Sequence, residues 1–238
     1  MSATPPILTP RLHQIANTII PCACMADIGT DHAYLPVYLC MTGVCQRGIA
    51  SDIRWGPLQR AEDTLRRYGM ENRIETRLGG GVDTLTTDEA DCIVIAGMGG
   101  LMIAEILKAN PAIFAKTGQI LLQPMTAVPE LRSFLWKNGY TVVNETLAKE
   151  EQKLYHILAV KVGQEPTPLT PTELYFGKRL LANRPEHFGE YLQKQRRKLT
   201  RMAEGLKQAQ SEDAALRLKE TLALLDALEV LEKEEHSC

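Results

Sequence analysis

Residues 91–100 read Asp-Cys-Ile-Val-Ile-Ala-Gly-Met-Gly-Gly and pass straight into the apolar-periodic stretch 101–110. The β-branched run Ile93, Val94, Ile95 has the composition of a buried strand, and the following stretch has the period of a helix. A strand that turns through glycines directly into a helix is the repeating unit of a parallel α/β sheet. Outward from it the same grammar recurs. Strands are predicted at 23–28, 48–52, 73–77, 91–96, 119–123, 141–146 and 155–160, with helices at 34–41, 57–67, 101–110 and 129–138. The last two strands follow one another without a helix, so an antiparallel edge pair is expected. Ahead of the sheet, Thr9-Pro10 opens a short helix, with Thr as cap and Pro at the first helical position. Its Leu12, Ile15, Ala16 and Ile19 share one face.

After residue 162 the grammar changes. The stretch 163–172 (GQEPTPLTPT) is a proline-rich boundary, so an α/β domain over 1–162 and a helical domain over 163–238 are expected. Leu192, Leu199 and Leu206 lie seven apart with Met202 between them, and Leu218, Leu222, Leu225, Leu228 and Leu231 continue an apolar face. The polar break 208–213, with Ser211 as a candidate cap, makes this an antiparallel helical hairpin. Its charge is divided: residues 178–201 hold eight Lys/Arg against two Glu, residues 202–238 four against nine acids. Lys194, Arg196, Arg197, Lys198 and Arg201 crowd two helical turns, as a phosphate grip or as the solvated face of a coiled coil.

The whole chain of 238 residues has Lys+Arg 27 against Asp+Glu 29, so bulk charge excludes a generally basic nucleic-acid binder and leaves room only for a local patch. No apolar run reaches membrane-span length, the N-terminus lacks a signal-peptide pattern, and the six cysteines form no paired metal spacing. A cytoplasmic protein without metal or membrane partner is expected.

Ligands of a parallel sheet bind at the carboxyl ends of its strands, so the loops there carry the chemistry. The first reads Ala26-Asp27-Ile28-Gly29-Thr30-Asp31-His32-Ala33-Tyr34-Leu35-Pro36. It holds one Gly of a G-x-G-x-x-G pattern, and Asp31 would repel a diphosphate; a cationic ligand such as S-adenosylmethionine tolerates that acid. Asp52 stands 23 residues after Gly29, where a carboxylate can accept from two ribose hydroxyls, with Ile53 beside it. Gly79-Gly80-Gly81 offers a side-chain-free surface to an adenine ring. Ala96, Gly97 and Met98 frame the fourth loop, whose three glycines invite close backbone contact, with Gly99 toward a substrate.

The stretch ADIGTDHAYLP, the IAGMGG turn, ILLQP at 120–124 and KNGY at 137–140 together resemble the bacterial tRNA (adenine(22)-N1)-methyltransferase family, across nearly the whole chain. The resemblance implies a Rossmann-like class I methyltransferase sheet with a C-terminal helical, coiled-coil-like domain that helps hold tRNA. It implies S-adenosylmethionine as cofactor and N1 of adenine 22 as methyl acceptor. Three positions depart from the family pattern: Gly80 replaces a polar residue, Met125 an Asn and His156 a Glu.

On this basis Arg11, Asp27, Gly29, Asp31, Asp52, Ile53, Gly80, Gly81, Ala96, Gly97 and Met98 are expected at the cofactor. Tyr34, Gly99, Lys194, Arg196, Arg197, Lys198 and Arg201 are expected at the substrate, and Asp31 and His32 at the chemistry. Asp31 can stabilise positive charge on the adenine or simply bind the cofactor; His32 can assist it or cap the turn. Tyr34 can stack on the base or pack in the core, and Arg11 can meet the cofactor carboxylate or form a surface salt bridge. Absence of an Asn/Asp-Pro-Pro-aromatic turn argues against N6 chemistry. A small-molecule methyltransferase with a dimerising tail and a non-catalytic cofactor binder are the alternatives; a monomer is favoured over a dimer.

Overall fold

A computed structural model describes residues 4–165, 167–209 and 211–235; the predicted polar break at 208–213 and the Cys238 thiol lie partly and wholly outside them. The chain forms two compact units, Met1–Pro168 and Leu169–Cys238.

The first unit is a seven-stranded sheet. Its strands are β1 (Cys22–Ile28), β2 (Cys45–Asp52), β3 (Ile74–Leu78), β4 (Cys92–Gly99), β5 (Gln119–Thr126), β6 (Tyr140–Glu150) and β7 (Lys153–Val162). Their order is β3-β2-β1-β4-β5-β7-β6, parallel except that β7 runs antiparallel to both neighbours. Helices α1 (Pro10–Thr18), α2 (Tyr34–Met41), α3 (Trp55–Tyr68), α4 (Gly100–Ala109), α5 (Pro111–Lys116) and α6 (Val128–Lys137) flank it. Thr9 accepts from the Leu12 N–H and Pro10 opens α1, as predicted. The short α5 was not predicted; six residues are too few to display a helical period.

Central strands are apolar on both sides because both faces are covered. Ile28, Ile93, Ile95, Ile103, Phe114, Leu131 and Leu135 form one core; Ile15, Met25, Leu35, Leu39, Ala61, Leu65 and Val94 form the other. The chain winds from β1 toward β2 and β3 on one side and toward β4 and β5 on the other. The crevice therefore opens between the carboxyl ends of β1 and β4.

β4 continues to Gly99 rather than stopping at 96, with register shifts against β5 at Ala96, Met98 and Gly99. This irregular end re-aims the turn and brings α4 against the β5–α6 connection. A Cβ on Gly100 would lie 2.5 Å from the Ala127 carbonyl oxygen and 2.7 Å from that of Thr126. One of the three glycines read as ligand-facing is thus architectural. Gly100→Ala is expected to destabilise the sheet unit by about 2–3 kcal/mol, because backbone cannot step aside as a side chain can. Urea denaturation measures it, and a loss under about 0.5 kcal/mol would show that the two segments separate cheaply.

The second unit begins with a π-helical turn (Glu173–Gly177), followed by α7 (Lys178–Asn183), α8 (Phe188–Lys207) and α9 (Glu212–Glu235). The first two were not predicted. Helices α8 and α9 pack against one another, and Ser211 accepts from the Ala214 N–H at the start of α9. Leu192 and Leu199 are buried as predicted, facing an α9 stripe of Ala214, Thr221 and Leu228, again seven apart. Leu222, assigned to the apolar face from sequence, is exposed: the stripe on α9 drifts around it.

Candidate functional site

The β1 turn is built on Gly29, whose φ of +77° suits glycine. Its N–H and that of Thr30 both donate to the Ser51 carbonyl at 2.8 Å, pinning the turn to β2. A Cβ at Gly29 would fall 2.1 Å from the Met98 methyl, so the β1 and β4 loops touch here. Buried Thr30 accepts from the Ala33 N–H (3.1 Å) and so shapes the start of α2. Below them Asp27 is buried. Burial pushes its carboxyl up to about 6, against the lowering effects of the Thr30 hydrogen bond and the Arg11 charge; Asp52 adds to the rise.

Asp52, 6% exposed, accepts the Arg54 N–H on Oδ1 at 2.7 Å. Beside it Ile53 is 70% exposed, an unusual state for an isoleucine, and a Cβ on Gly80 would touch its Cδ1 at 3.4 Å. Gly80 and Ile53 thus form one smooth wall next to the carboxylate. Gly81 is turned away, with its Cβ position against Ile106 of α4, so it does not share that wall.

Across the crevice Gln123, 1% exposed, ties three segments together. Its Oε1 accepts from Arg11 Nη1 (2.8 Å) and from the Gly97 N–H (3.1 Å), while its Nε2 donates to the Pro124 carbonyl (3.0 Å). The Arg11 guanidinium also lies over the Tyr155 ring, 5.7 Å from its centroid. Arg11 is therefore held at the crevice rather than spent in a surface salt bridge. Gln123 went unmarked in the sequence; a buried amide at the end of an apolar strand was the available signal.

Asp31 is exposed and ion-paired through Oδ1 with Arg60 of α3, whose Nε lies 3.1 Å away. His32 Nε2 stands 3.5 Å from Asp31 Oδ2, and the His32 ring stacks on Tyr34 with centroids 5.2 Å apart. Tyr34 is half-buried, its ring engaged by His32 at the start of α2. Arg60 was missed because it sits on a charged helix face indistinguishable in sequence from a solvated one. Gly99 is close to Thr126 Oγ1, which a Cβ there would approach to 3.3 Å.

The rim of these loops is unexpectedly apolar. Trp55, Leu78, Leu101, Met102 and Met125 are all exposed, and all follow or end a strand at its carboxyl end. Beside the carboxyl end of β5, where antiparallel β7 begins, His156 Nδ1 donates to Glu145 Oε1 at 2.9 Å, and Arg132 pairs with the same carboxylate. Burial raises the Glu145 carboxyl, but the Arg132 charge and the His156 hydrogen bond outweigh it and leave it low.

In the helical unit, Lys194, Arg197, Lys198, Arg201 and Met202 line a groove of about 400 Å³ along α8. Arg196 does not belong to it. Its guanidinium is engaged by Glu232 of α9, with Nε 2.8 Å from Oε2, because its position on the helix points at the partner helix. Lys194 also contacts Glu190 at 3.1 Å. Among the described residues no helix is long and apolar enough to cross a membrane, and no group of three or more His, Cys, Asp or Glu could hold a metal ion.

Comparison with known proteins agrees with this layout. A family model described as TrmK, tRNA (adenine(22)-N(1))-methyltransferase, matches residues 25–227. A Bacillus subtilis (strain 168) protein named tRNA (adenine(22)-N(1))-methyltransferase is 36% identical over 156 residues, 66% of each chain. The crystal structure of the B. subtilis m1A22 tRNA methyltransferase TrmK superposes with a TM-score of 0.85 at 30% identity, covering 95% of this chain and 99% of that one. M. capricolum TrmK in complex with S-adenosyl-homocysteine gives 0.79 at 26% identity, covering 94% and 100%.

Proposed function

The chain belongs to the tRNA (adenine(22)-N(1))-methyltransferase family, with its Rossmann-like class I fold, and from that premise we propose how its own residues bind and react. The activity is transfer of the methyl group of S-adenosylmethionine to N1 of adenine 22 in tRNA. One observation supports the residue assignments above all: a buried carboxylate (Asp52), a smooth wall (Ile53, Gly80) and a held guanidinium (Arg11, beside Gly97) all stand at the carboxyl ends of the strands around the strand-order switch.

The residues present fit the cofactor. Asp52 Oδ2 accepts from the ribose hydroxyls, Oδ1 being occupied by the Arg54 N–H. Ile53 and Gly80 would carry the adenine ring, with backbone N–H groups in place of the polar side chain of the family pattern. Arg11 meets the carboxylate, held by Gln123 and Tyr155. Asp27 and the Gly29 turn face the ammonium, with Ala96, Gly97 and Met98 closing the β4 side. When bound, S-adenosylmethionine supplies a methyl group on cationic sulfur.

Adenine N1 has an in-plane lone pair and no proton, so the protein need not remove one before attack; it must align the base and exclude water. N1 lies on the Watson–Crick edge, so the base enters unpaired. Leu101, Met102 and Met125 give it an apolar rim, with Tyr34 and Gly99 facing the same opening. Positive charge moves onto the ring during transfer, and Asp31 Oδ2, with His32 next to it, offsets that charge. Arg60 holds Asp31 by its other oxygen and orients it.

Methyl transfer from labelled S-adenosylmethionine to unmodified tRNA tests the activity. Label located by nuclease digestion and mass spectrometry at N1 of adenine 22, and absent when guanine replaces it, is the expected result. Cofactor binding with no label in any tRNA would overturn it.

The Asp27 carboxyl carries a signature in pH. In the free protein it is raised to about 6 from 3.8, so its protonated form favours the fold. That contribution is full below about pH 4 and is lost as pH rises through about 6. A cationic ligand favours the carboxylate instead, and protons compete with it. Cofactor affinity is expected to rise about fivefold between pH 5 and 6, about tenfold between pH 5 and 7, and to flatten above that. Titration calorimetry across this range measures it; an Asp27→Asn variant as steep as the native protein would remove Asp27 from the ammonium site.

For the tRNA, Lys194, Arg197, Lys198 and Arg201 supply phosphate contacts, in the cytoplasm where the tRNA pool resides. Replacing Arg197, Lys198 and Arg201 by Gln is expected to weaken tRNA binding about tenfold or more. The slope of log affinity against log salt should flatten by about 0.7–0.9 per lost contact. Arg196→Gln should leave that slope intact and lower the stability of the helical hairpin instead. Equal effects on salt dependence from both variants would sink this division of labour.

A further inference from the structure

β1 and β2 begin at Cys22 and Cys45, which are directly paired across the parallel ladder. Their sulfurs stand 3.1 Å apart, about one ångström beyond a covalent disulfide. Cross-strand neighbours of this kind already satisfy the side-chain approach that a disulfide needs, so closure requires only small rotations about the Cα–Cβ bonds. The two thiols are not equivalent. Cys22 is half-buried at the strand end and reachable from solvent, while Cys45 is fully buried beneath it. Cys40 and Cys92 lie in the same core with no exposed surface to speak of. The pair occupies the amino end of the sheet, and the cofactor crevice the carboxyl end, so it has no part in methyl transfer.

We propose that Cys22 and Cys45 are a peroxide-oxidisable dithiol, with Cys22 the attacking sulfur and Cys45 the resolving one. The electrostatics have the same polarity. A hydrogen bond from Cys45 lowers the Cys22 thiol, outweighing burial and the Asp91 charge, whereas the same bond and burial raise Cys45. The more acidic of the two thiols is therefore the one that solvent reaches, as attack on a peroxide needs. The Cys22 thiolate attacks one oxygen of hydrogen peroxide. The S–O bond forms, the O–O bond breaks, and the departing hydroxide takes a proton to leave as water. Cys45 sulfur then attacks the Cys22 sulfenic acid. The S–S bond forms, the S–O bond breaks, and the second hydroxide leaves as water with the Cys45 proton. Two thiols are oxidised by two electrons in total, and one peroxide yields two waters. The product ties the starts of β1 and β2 together and closes a covalent loop that contains α2.

The test uses the full chain treated with one equivalent of hydrogen peroxide, alkylated and mapped without reduction. A linked peptide pair containing Cys22 and Cys45, reversed by dithiothreitol, is expected, formed about tenfold or more faster than any modification of Cys40 or Cys92. In Cys45→Ser, a sulfenic acid at Cys22 should persist and be captured by dimedone; in Cys22→Ser, Cys45 should stay reduced. Methyl transfer should survive oxidation, which separates this outcome from failure of the activity itself. Dimedone capture at Cys22 in the unsubstituted protein without the linked peptide would overturn the proposal. So would a linkage to Cys238, or a Cys22 no more reactive than the buried thiols.

Discussion

Glu145→Gln is expected to lower the stability of the sheet unit by about 3–5 kcal/mol, the cost of breaking a buried ion pair from one side. Arg132 is 3% exposed and Glu145 1% exposed. Both Arg132 and His156 direct their N–H groups at the Glu145 carboxylate. The amide keeps the shape and removes the charge, so the guanidinium remains in the interior without a counter-charge beside it. A fall in melting temperature of about 6–20 °C follows for a unit of this size. Replacing the pair together, as Arg132→Met with Glu145→Leu, should return much of the loss, because the apolar pair has no desolvation cost. A single variant within about 1 kcal/mol of the native protein would mean that water reaches the site. His156 belongs to the same arrangement: the buried acid is Glu145 on the neighbouring strand, and the histidine serves as its donor.

Asp52→Ala is expected to raise the dissociation constant for S-adenosylmethionine about 10²–10⁴-fold. Hydrogen bonds to a charged acceptor contribute roughly 1.5–3 kcal/mol each, and two ribose hydroxyls lose theirs together. Asp52 also holds the Arg54 N–H at the start of α3, so circular dichroism and a melting curve must accompany calorimetry. Asp52→Asn, which can keep that bond on its Oδ1 and offers its Nδ2 as a donor to the ribose hydroxyl oxygens, should lose less. A change under threefold in a folded Asp52→Ala protein would place the ribose elsewhere.

Strand ends were legible in the sequence because apolar runs stop where chemistry begins: Asp52 and Gly29 stand out against the runs that precede them. The roles that stayed hidden depend on distant segments meeting. Gly97 and Gly100 are the same residue three positions apart, yet one presents its N–H to Gln123 and the other abuts the carbonyls of Thr126 and Ala127. Nothing local distinguishes them. Likewise Arg196 and Arg197 are adjacent, and only the rotational setting of α8 against α9 sends one to Glu232 and leaves the other in the groove. The apolar rim was invisible for a different reason: an exposed leucine at a helix start has the same letter as a buried one.

The two long helices carry opposite charge side by side. α8 has six Lys/Arg against two Glu, and α9 has three against eight acids. Such a body is a transverse electric dipole. In the field of a polyanion it experiences a torque before any contact forms, so it turns its cationic edge forward while still at a distance. The acids of α9 then act as a rudder, penalising encounters in which the hairpin arrives reversed. Capture becomes one-sided, and salt should slow the approach more than it hastens departure.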